Sequence, residues 1–395
     1  MSDRDPMPPT HPGERLPHYV NEAPFDPYTV DTLTPQQERY YRASQWRIMW
    51  WRFRRHRVAV WSGAFLLAMY AMIVVCEFVA PYNLHSRDIK HIYAPPQAIH
   101  LFHEGAFIGP FVYGFDSKLN MENLSREYVP NMNKVQPLRF FCRGDSYQFW
   151  GQFEADLHLF CPAEGGTAFL FGTDRLGRDM LSRIIYGARI SLTIALIAVG
   201  ISFVLGIVIG GIAGYFGGFA DALTLRTIEI IRSFPEIPLF MTLSALLPVT
   251  WSPIGVFAGI CVIIGFLEWP GLARAVRAKF LSLREEDFTT AAQLMGASPA
   301  RIIGRHLLPS FTSHLIASVT VSIPTAILGE TALSFLGIGL RPPITSWGVV
   351  LNEAQNINVV AVYPWLMLPV LPLFLVVLAF NFLGDGMRDA ADPYS

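Results

Sequence analysis

Charge is what this chain has least of. Of its 395 residues only 15% are Asp, Glu, Lys or Arg, against 52% hydrophobic residues and a mean hydropathy of +0.35. A soluble domain carries roughly a quarter charged residues, so the deficit points to a bilayer. A net charge of −1 removes any whole-chain case for nucleic acid. No segment reads GxxxxGK[ST], which excludes ATP binding through a P-loop. Cysteines number four, and no Cys or carboxylate stands at ligand spacing beside His85, His91, His100 and His103, so no metal site is expected. The apolar runs hold no histidine except His314 and no carboxylate pair, which argues against a membrane enzyme and leaves no catalytic residue to name. Glu330 is the single acid well inside such a run, between Gly329 and Thr331. A hydrogen bond to a neighbouring helix is expected of it, in preference to the proton relay of an ion-coupled secondary transporter.

What the chain has instead is apolar runs. Val58 to Cys76 is about long enough for one crossing at roughly 20 residues. The cationic, Trp-rich stretch Trp46 to Arg57 leads into it and suits a headgroup boundary, giving a basic interfacial helix over 36–57. Because the run begins near residue 58 it reads as an uncleaved anchor. Residues 1–35, rich in Pro, Asp and Thr, read as disordered. Ile190 to Ala220 supplies a second crossing, in which Gly206, Gly210 and Gly214 recur every four residues and let another helix approach closely. Ile237 to Leu267 is broken by Pro248, Trp251 and Pro253. Read as two helices, it places Arg274, Arg277, Lys279, Arg284, Arg301 and Arg305 on the side of the basic N-terminus, as the positive-inside tendency requires. Phe311 to Phe335 and Val362 to Leu383 complete six crossings, with both termini inside.

Residues 81–188 form a long outside loop, read as a small folded insert. Cys142 and Cys161 lie within it, 19 positions apart, and an oxidising compartment permits a disulfide between them. Cys76 and Cys261 sit in apolar runs as packing residues. Near the end of the insert, Leu176, Met180, Leu181, Ile184, Ile185 and Ala188 form one face, opposite Arg178, Asp179, Ser182 and Arg183. That pattern predicts an interfacial helix, capped by Thr173 or Asp174.

The inward loop, 271–310, is a polar, basic segment held in water between spans. Glu285 to Met295 suits a short helix with its acids in the first turn, Gly296 can end it, and Ser298-Pro299 can start another running to Leu308. Ala291, Ala292 and Gly296 put little bulk near the bend, so a soluble partner can come close to the backbone.

This loop, with Ile302 and Leu308-Pro309, resembles the EAA loop of permeases in binding-protein-dependent ABC importers. More narrowly, GTDRLGRD (172–179), ETALSFLGIGL (330–340), RPPITSWG (341–348) and LGDGMRDAADP (383–393) resemble the C-type permease of oligopeptide, dipeptide and nickel importers. The long outside loop is similar to that of microcin C-type permeases. The resemblance implies an all-α, six-helix type I permease fold with a small periplasmic insert, its core over 189–395, in a bacterial inner membrane. It implies a homologous B-type permease, two ATPase subunits that use ATP and Mg, and a periplasmic solute-binding protein; this chain itself would bind no cofactor. Carried over by position, Thr290, Ala291, Ala292, Gly296, Ala297, Ile302, Leu308 and Pro309 would couple to the ATPase. The family's acidic residue is Thr290 here, which removes a charge-based contact and leaves the docking helix. Short peptides are the expected cargo, with nickel chelates or glycosides as the alternative within the family.

Overall fold

A computed structural model describes residues 43–119, 121, 126–248 and 250–391; the stretch 1–35 expected to be disordered falls outside these. The chain divides into two units, residues 1–48 and 49–395, and only 43–48 of the first are described. Helix α1, Gln45–Arg55, carries the basic, Trp-rich stretch. Helix α2, Arg57–Val74, follows, with His56 Nδ1 accepting from the Ala59 amide at 3.2 Å.

The insert is made of strands, so the expectation of an all-α chain is corrected there. Strands β1 (His100–His103), β2 (Ala106–Leu119) and β3 (Arg126–Pro137) form an antiparallel sheet in that order. Strands β4 (Arg139–Phe149) and β5 (Phe153–Cys161) form a separate hairpin. The physical signal is alternation: Phe153, Ala155, Leu157 and Leu159 are separated by Glu154, Asp156 and His158, the period-2 pattern of a strand. Cys142 and Cys161 are bonded across this hairpin, with Cα atoms 6.1 Å apart.

Helix α3, Met180–Phe216, runs for 37 residues, about 55 Å at the usual rise per residue. The separate interfacial helix expected before it does not form. Asp179 caps α3 instead of Thr173 or Asp174, accepting from the Ser182 amide at 2.7 Å. The face expected to meet water is inward, with Asp179, Ser182 and Arg183 all buried, because each finds a partner within the protein.

Helix α4 spans Gly218–Ser233, and α5, Glu236–Ala245, follows a break at Phe234-Pro235. Helix α6, Pro253–Leu283, continues through Pro270, so Arg274, Arg277 and Lys279 lie on the helix and the following loop begins at Arg284, not at 271. Successive glycines of α3 meet successive residues of α6: Gly265 of α6 lies against Ala198, Gly206 against Leu272, Gly210 against Ala273 and Gly214 against Arg277. Both series increase together, so α3 and α6 are parallel. The chain must therefore return between them, and α4–α5 does so antiparallel to α6. Asp221 pairs with Arg277, Ile228 packs with Trp269 and Ala273, Glu236 bonds Glu268, and Leu247 meets Gly259. Helices α7 (Asp287–Leu294) and α8 (Pro299–Ile302) form the loop, followed by a π turn over Ile303–Leu307. Helix α9 is Thr312–Phe335, α10 is Trp347–Leu351, and α11 is Val370–Ala391.

Among the described residues five helical segments are long and apolar enough to cross a membrane, over 57–74, 180–216, 253–283, 312–335 and 364–391. The main core joins α2, α3, α6, α9 and α11 through residues such as Leu66, Leu192, Ile264, Ile327 and Val376.

With the Cys142–Cys161 bridge closed, mass spectrometry of unreduced protein should find neither residue alkylated, and both after reduction. Replacing both by Ser should cost the insert about 3 kcal/mol, read as earlier unfolding of the strands. Alkylation without reductant would contradict the bond.

Candidate functional site: the loop after α6 and the adjoining cavity

The loop has two sides. On the inner side, Ala292, Ile302, Leu307 and Phe311 pack with Val276, Phe280, Leu283 and Leu315, joining the loop to the ends of α6 and α9. Thr289 Oγ1 donates to the Leu283 carbonyl at 2.8 Å, fastening the start of α7 to the last residue of α6. On the outer side, Thr290, Ala291, Gly296 and Pro309 are exposed, while Ala297 and Leu308 are half-buried. Gly296 has φ of +77°, the left-handed conformation that ends a helix at little cost only in glycine, and open space lies where a Cβ would be. Ser298 then caps α8.

The positions named from sequence thus divide into anchors (Ala292, Ile302) and an outward surface (Thr290, Ala291, Gly296, Pro309). That surface also includes residues the sequence reading missed. Phe288 is 42% exposed, Leu294 84% and Met295 88%. Their signal was available: three large apolar residues in a polar loop, outside the set that completes the inner cluster.

Gly206, Gly210 and Gly214 all face α6. A Cβ on Gly210 would stand 2.4 Å from the Ala273 carbonyl oxygen, and one on Gly214 2.7 Å from that of Arg277. No side chain fits there. Arg277 Nη2 donates to Asp221 Oδ2 at 2.6 Å, tying α4 to α6.

Beside the break in α4–α5 lies a cavity of about 430 Å³ between α3, α6, α9 and α11. Acidic and basic side chains line it, Arg232, Glu268, Asp385 and Arg388, together with His314. Arg232 fits against Gly271, where a Cβ would come within 3.1 Å of its Nη2. The Glu268 side chain is hydrogen-bonded to that of Glu236. Interrupted helices occur at membrane depth where they line a water-filled space.

At the opposite end of α3 a group of arginines is neutralised by acids. Arg183 Nη1 lies 2.6 Å from Asp174 and 2.9 Å from Glu353, while Arg178 reaches the same two acids at 2.6 and 3.2 Å. Arg189 pairs with Glu77. Glu330, fully buried, accepts from Ser191 Oγ on α3 at 2.9 Å and from Ser334 Oγ at 2.7 Å. It therefore bonds a neighbouring helix, as its sequence position suggested. Trp347 is buried beside it, its Nε1 donating to the Ile184 carbonyl at 3.0 Å. Among the described residues no group of three or more His, Cys, Asp or Glu is placed to hold a metal ion.

A bundle of long apolar helices with a strand module at one end and an anchored, apolar-tipped loop at the other defines a polytopic membrane protein. The family model for the binding-protein-dependent transport system inner membrane component matches residues 206–394. The model for the N-terminal transmembrane domain of oligopeptide transport permease C matches residues 44–96. A glutathione transport system permease protein of Pectobacterium atrosepticum is 30% identical over 348 residues, covering 88% of this chain and 91% of that protein. Its counterpart from Escherichia coli O1:K1 / APEC is 31% identical, covering 88% and 90%. A dipeptide transport system permease protein of Bacillus subtilis strain 168 is 39% identical over 224 residues, covering 56% and 68%. The chain belongs to the binding-protein-dependent transport system inner membrane components, and is the permease component of an ABC importer. Membership implies work alongside another permease, ATPase subunits and a substrate-binding protein; the chain is not itself the catalytic subunit.

Removing Arg183 should leave the buried acids Asp174 and Glu353 to share Arg178 alone, with one negative charge uncompensated. Arg183→Ala should lower stability by about 3–5 kcal/mol, read as thermal unfolding in detergent. An unchanged transition would show that these charges are not coupled.

Proposed function

We propose that this chain forms, with a homologous B-type permease, the path by which short peptides cross the inner membrane. In this reading it has six crossings, with both termini and the α7–α8 loop cytoplasmic and the strand module periplasmic. The observation that carries the reading is the two-sided loop: Ala292 and Ile302 are buried against α6 and α9, while Leu294, Met295 and Gly296 face out. An apolar tip held in water by a buried root suits a groove on an ATPase subunit. Two such subunits, using ATP and Mg, would each serve one permease.

The sixth crossing is the broken helix α4–α5. It is not one long apolar helix, but the parallel course of α3 and α6 requires a return between them. The cargo follows from the relatives, whose transport is named for a dipeptide and for glutathione. The cavity suits such solutes, because its arginines can face a carboxylate and its acids an ammonium group.

Force applied to α7 would pass through the cluster of Ala292, Ile302, Leu307 and Phe311 into α6 and α9. Helix α3 would follow α6, because its glycine face leaves no room to slide. The break at Phe234-Pro235 would absorb the difference in α4–α5 and change the cavity.

Leu294→Glu combined with Met295→Glu alters two exposed side chains, so folding should be unaffected. Labelled dipeptide uptake in a deletion strain should nevertheless fall about a hundredfold, as for loss of about 2.7 kcal/mol of docking, and the ATPase should no longer co-purify. Gly296→Asp should behave likewise. Full uptake by either variant would contradict the docking role. The topology has its own test: an impermeant maleimide should label Thr250→Cys in intact spheroplasts but leave Glu285→Cys unlabelled. The reverse pattern would invert the proposed orientation.

A further inference from the structure

The β4–β5 hairpin is not needed to close the helical core, yet its tip is held at one particular level. Trp150 Nε1 donates to the carbonyl of Val74, the last residue of α2, at 2.9 Å. The Trp150 amide lies 3.4 Å from Glu77 Oε1, and Arg189 stacks on the indole ring at 5.0 Å. Arg189 also pairs with Glu77 at 2.5 Å. These contacts fix the tip where a spanning helix ends. They also place it where α3 carries its last charge before the uncharged run from Ile190 to Ala220.

At that level the tip turns apolar side chains away from the protein. Trp150 is 54% exposed and Phe153 66%. Beside them Val74 and Val75, at the end of α2, are also exposed, so the patch is continuous with a helix surface that meets acyl chains. An arginine, an indole and a phenylalanine at the boundary of an uncharged run is the composition of a headgroup–acyl interface. His158, buried, braces the hairpin further from the bilayer by bonds to the carbonyls of Ala80, at 2.6 Å, and Asp145, at 2.8 Å.

We propose that the β4–β5 hairpin is a membrane-surface anchor, its tip (Trp150 and Phe153) seated in the lipid headgroup–acyl boundary beside the end of α2. The occupant of this surface is phospholipid. The strand module is thereby held at a fixed height by lipid contact as well as by its chain connections.

The test places a fluorescent nitrobenzoxadiazole label at Phe153→Cys or, in the turn itself, at Gln152→Cys. A third variant, Asn133→Cys on β3, serves as the reference. Cys76 and Cys261 are replaced by Ala, and the full chain with its co-purifying subunits is reconstituted into phosphatidylcholine–phosphatidylglycerol nanodiscs. Phosphatidylcholine carrying a nitroxide at acyl carbon 5 should quench both tip labels about twofold, while iodide quenches only the Asn133 label. If iodide quenches the tip labels as strongly as the reference, the tip lies in water and the proposal fails. Tip labels shielded from both quenchers would mean that another protein subunit covers the hairpin, which overturns it equally. Because the Gln152 side chain is exposed, its label reports position even if Phe153→Cys perturbs the turn.

Discussion

The close contact between α3 and α6 is the constraint on which the rest of this structure depends. At Gly210 and Gly214 of one helix a backbone carbonyl of the other sits where a Cβ would be, and at Gly206 the side chain of Leu272 closes in. The parallel direction of the two helices forces the α4–α5 return, and the return brings Arg232 and Glu236 to Glu268. Helix α6 then runs without interruption into the loop, so the position of the loop is set by the same contact. In lipid, where burial of apolar side chains gives no drive for helix association, such backbone approach is a principal source of attraction.

The two ends of the bundle use different physics. At the strand end, charges are buried in pairs: Asp174 and Glu353 with Arg178 and Arg183, and Glu77 with Arg189. Glu330 is held by serines of its own helix and of α3. Such networks specify one arrangement because any other leaves a charge without a partner. At the loop end the contacts are apolar and more tolerant of sliding, and Leu294 and Met295 stand exposed. In the proposed reading one end is fixed and the other is moved.

Much of this was legible in the sequence. Uncharged runs located the long helices, since their absence of charge is a direct requirement of the bilayer. The glycine spacing in α3 pointed to close helix contact, and Gly296 and Ser298-Pro299 marked the bend in the loop. Other features were hidden for stated reasons. The end of α6 was set too early because Arg274, Arg277 and Lys279 look like loop residues; the helix simply continues past the apolar run. The polar face of Arg178, Asp179 and Arg183 suggested exposure, and only the distant Glu353 reveals why Arg183 is buried and Arg178 half-buried. The strands were missed because mixed composition obscured their period-2 alternation. The cavity joins residues from 199 to 388, a convergence no local pattern can disclose.

The central claim is that α3 and α6 move as one body when the loop is displaced. A disulfide between Gly206→Cys and Leu272→Cys, whose positions lie in direct contact, would lock the pair. The account predicts that oxidised, fully cross-linked importer takes up dipeptide at the rate of the reduced form. Transport that stops on oxidation and returns on reduction would mean the helices must slide past each other, and the rigid-pair account would be wrong.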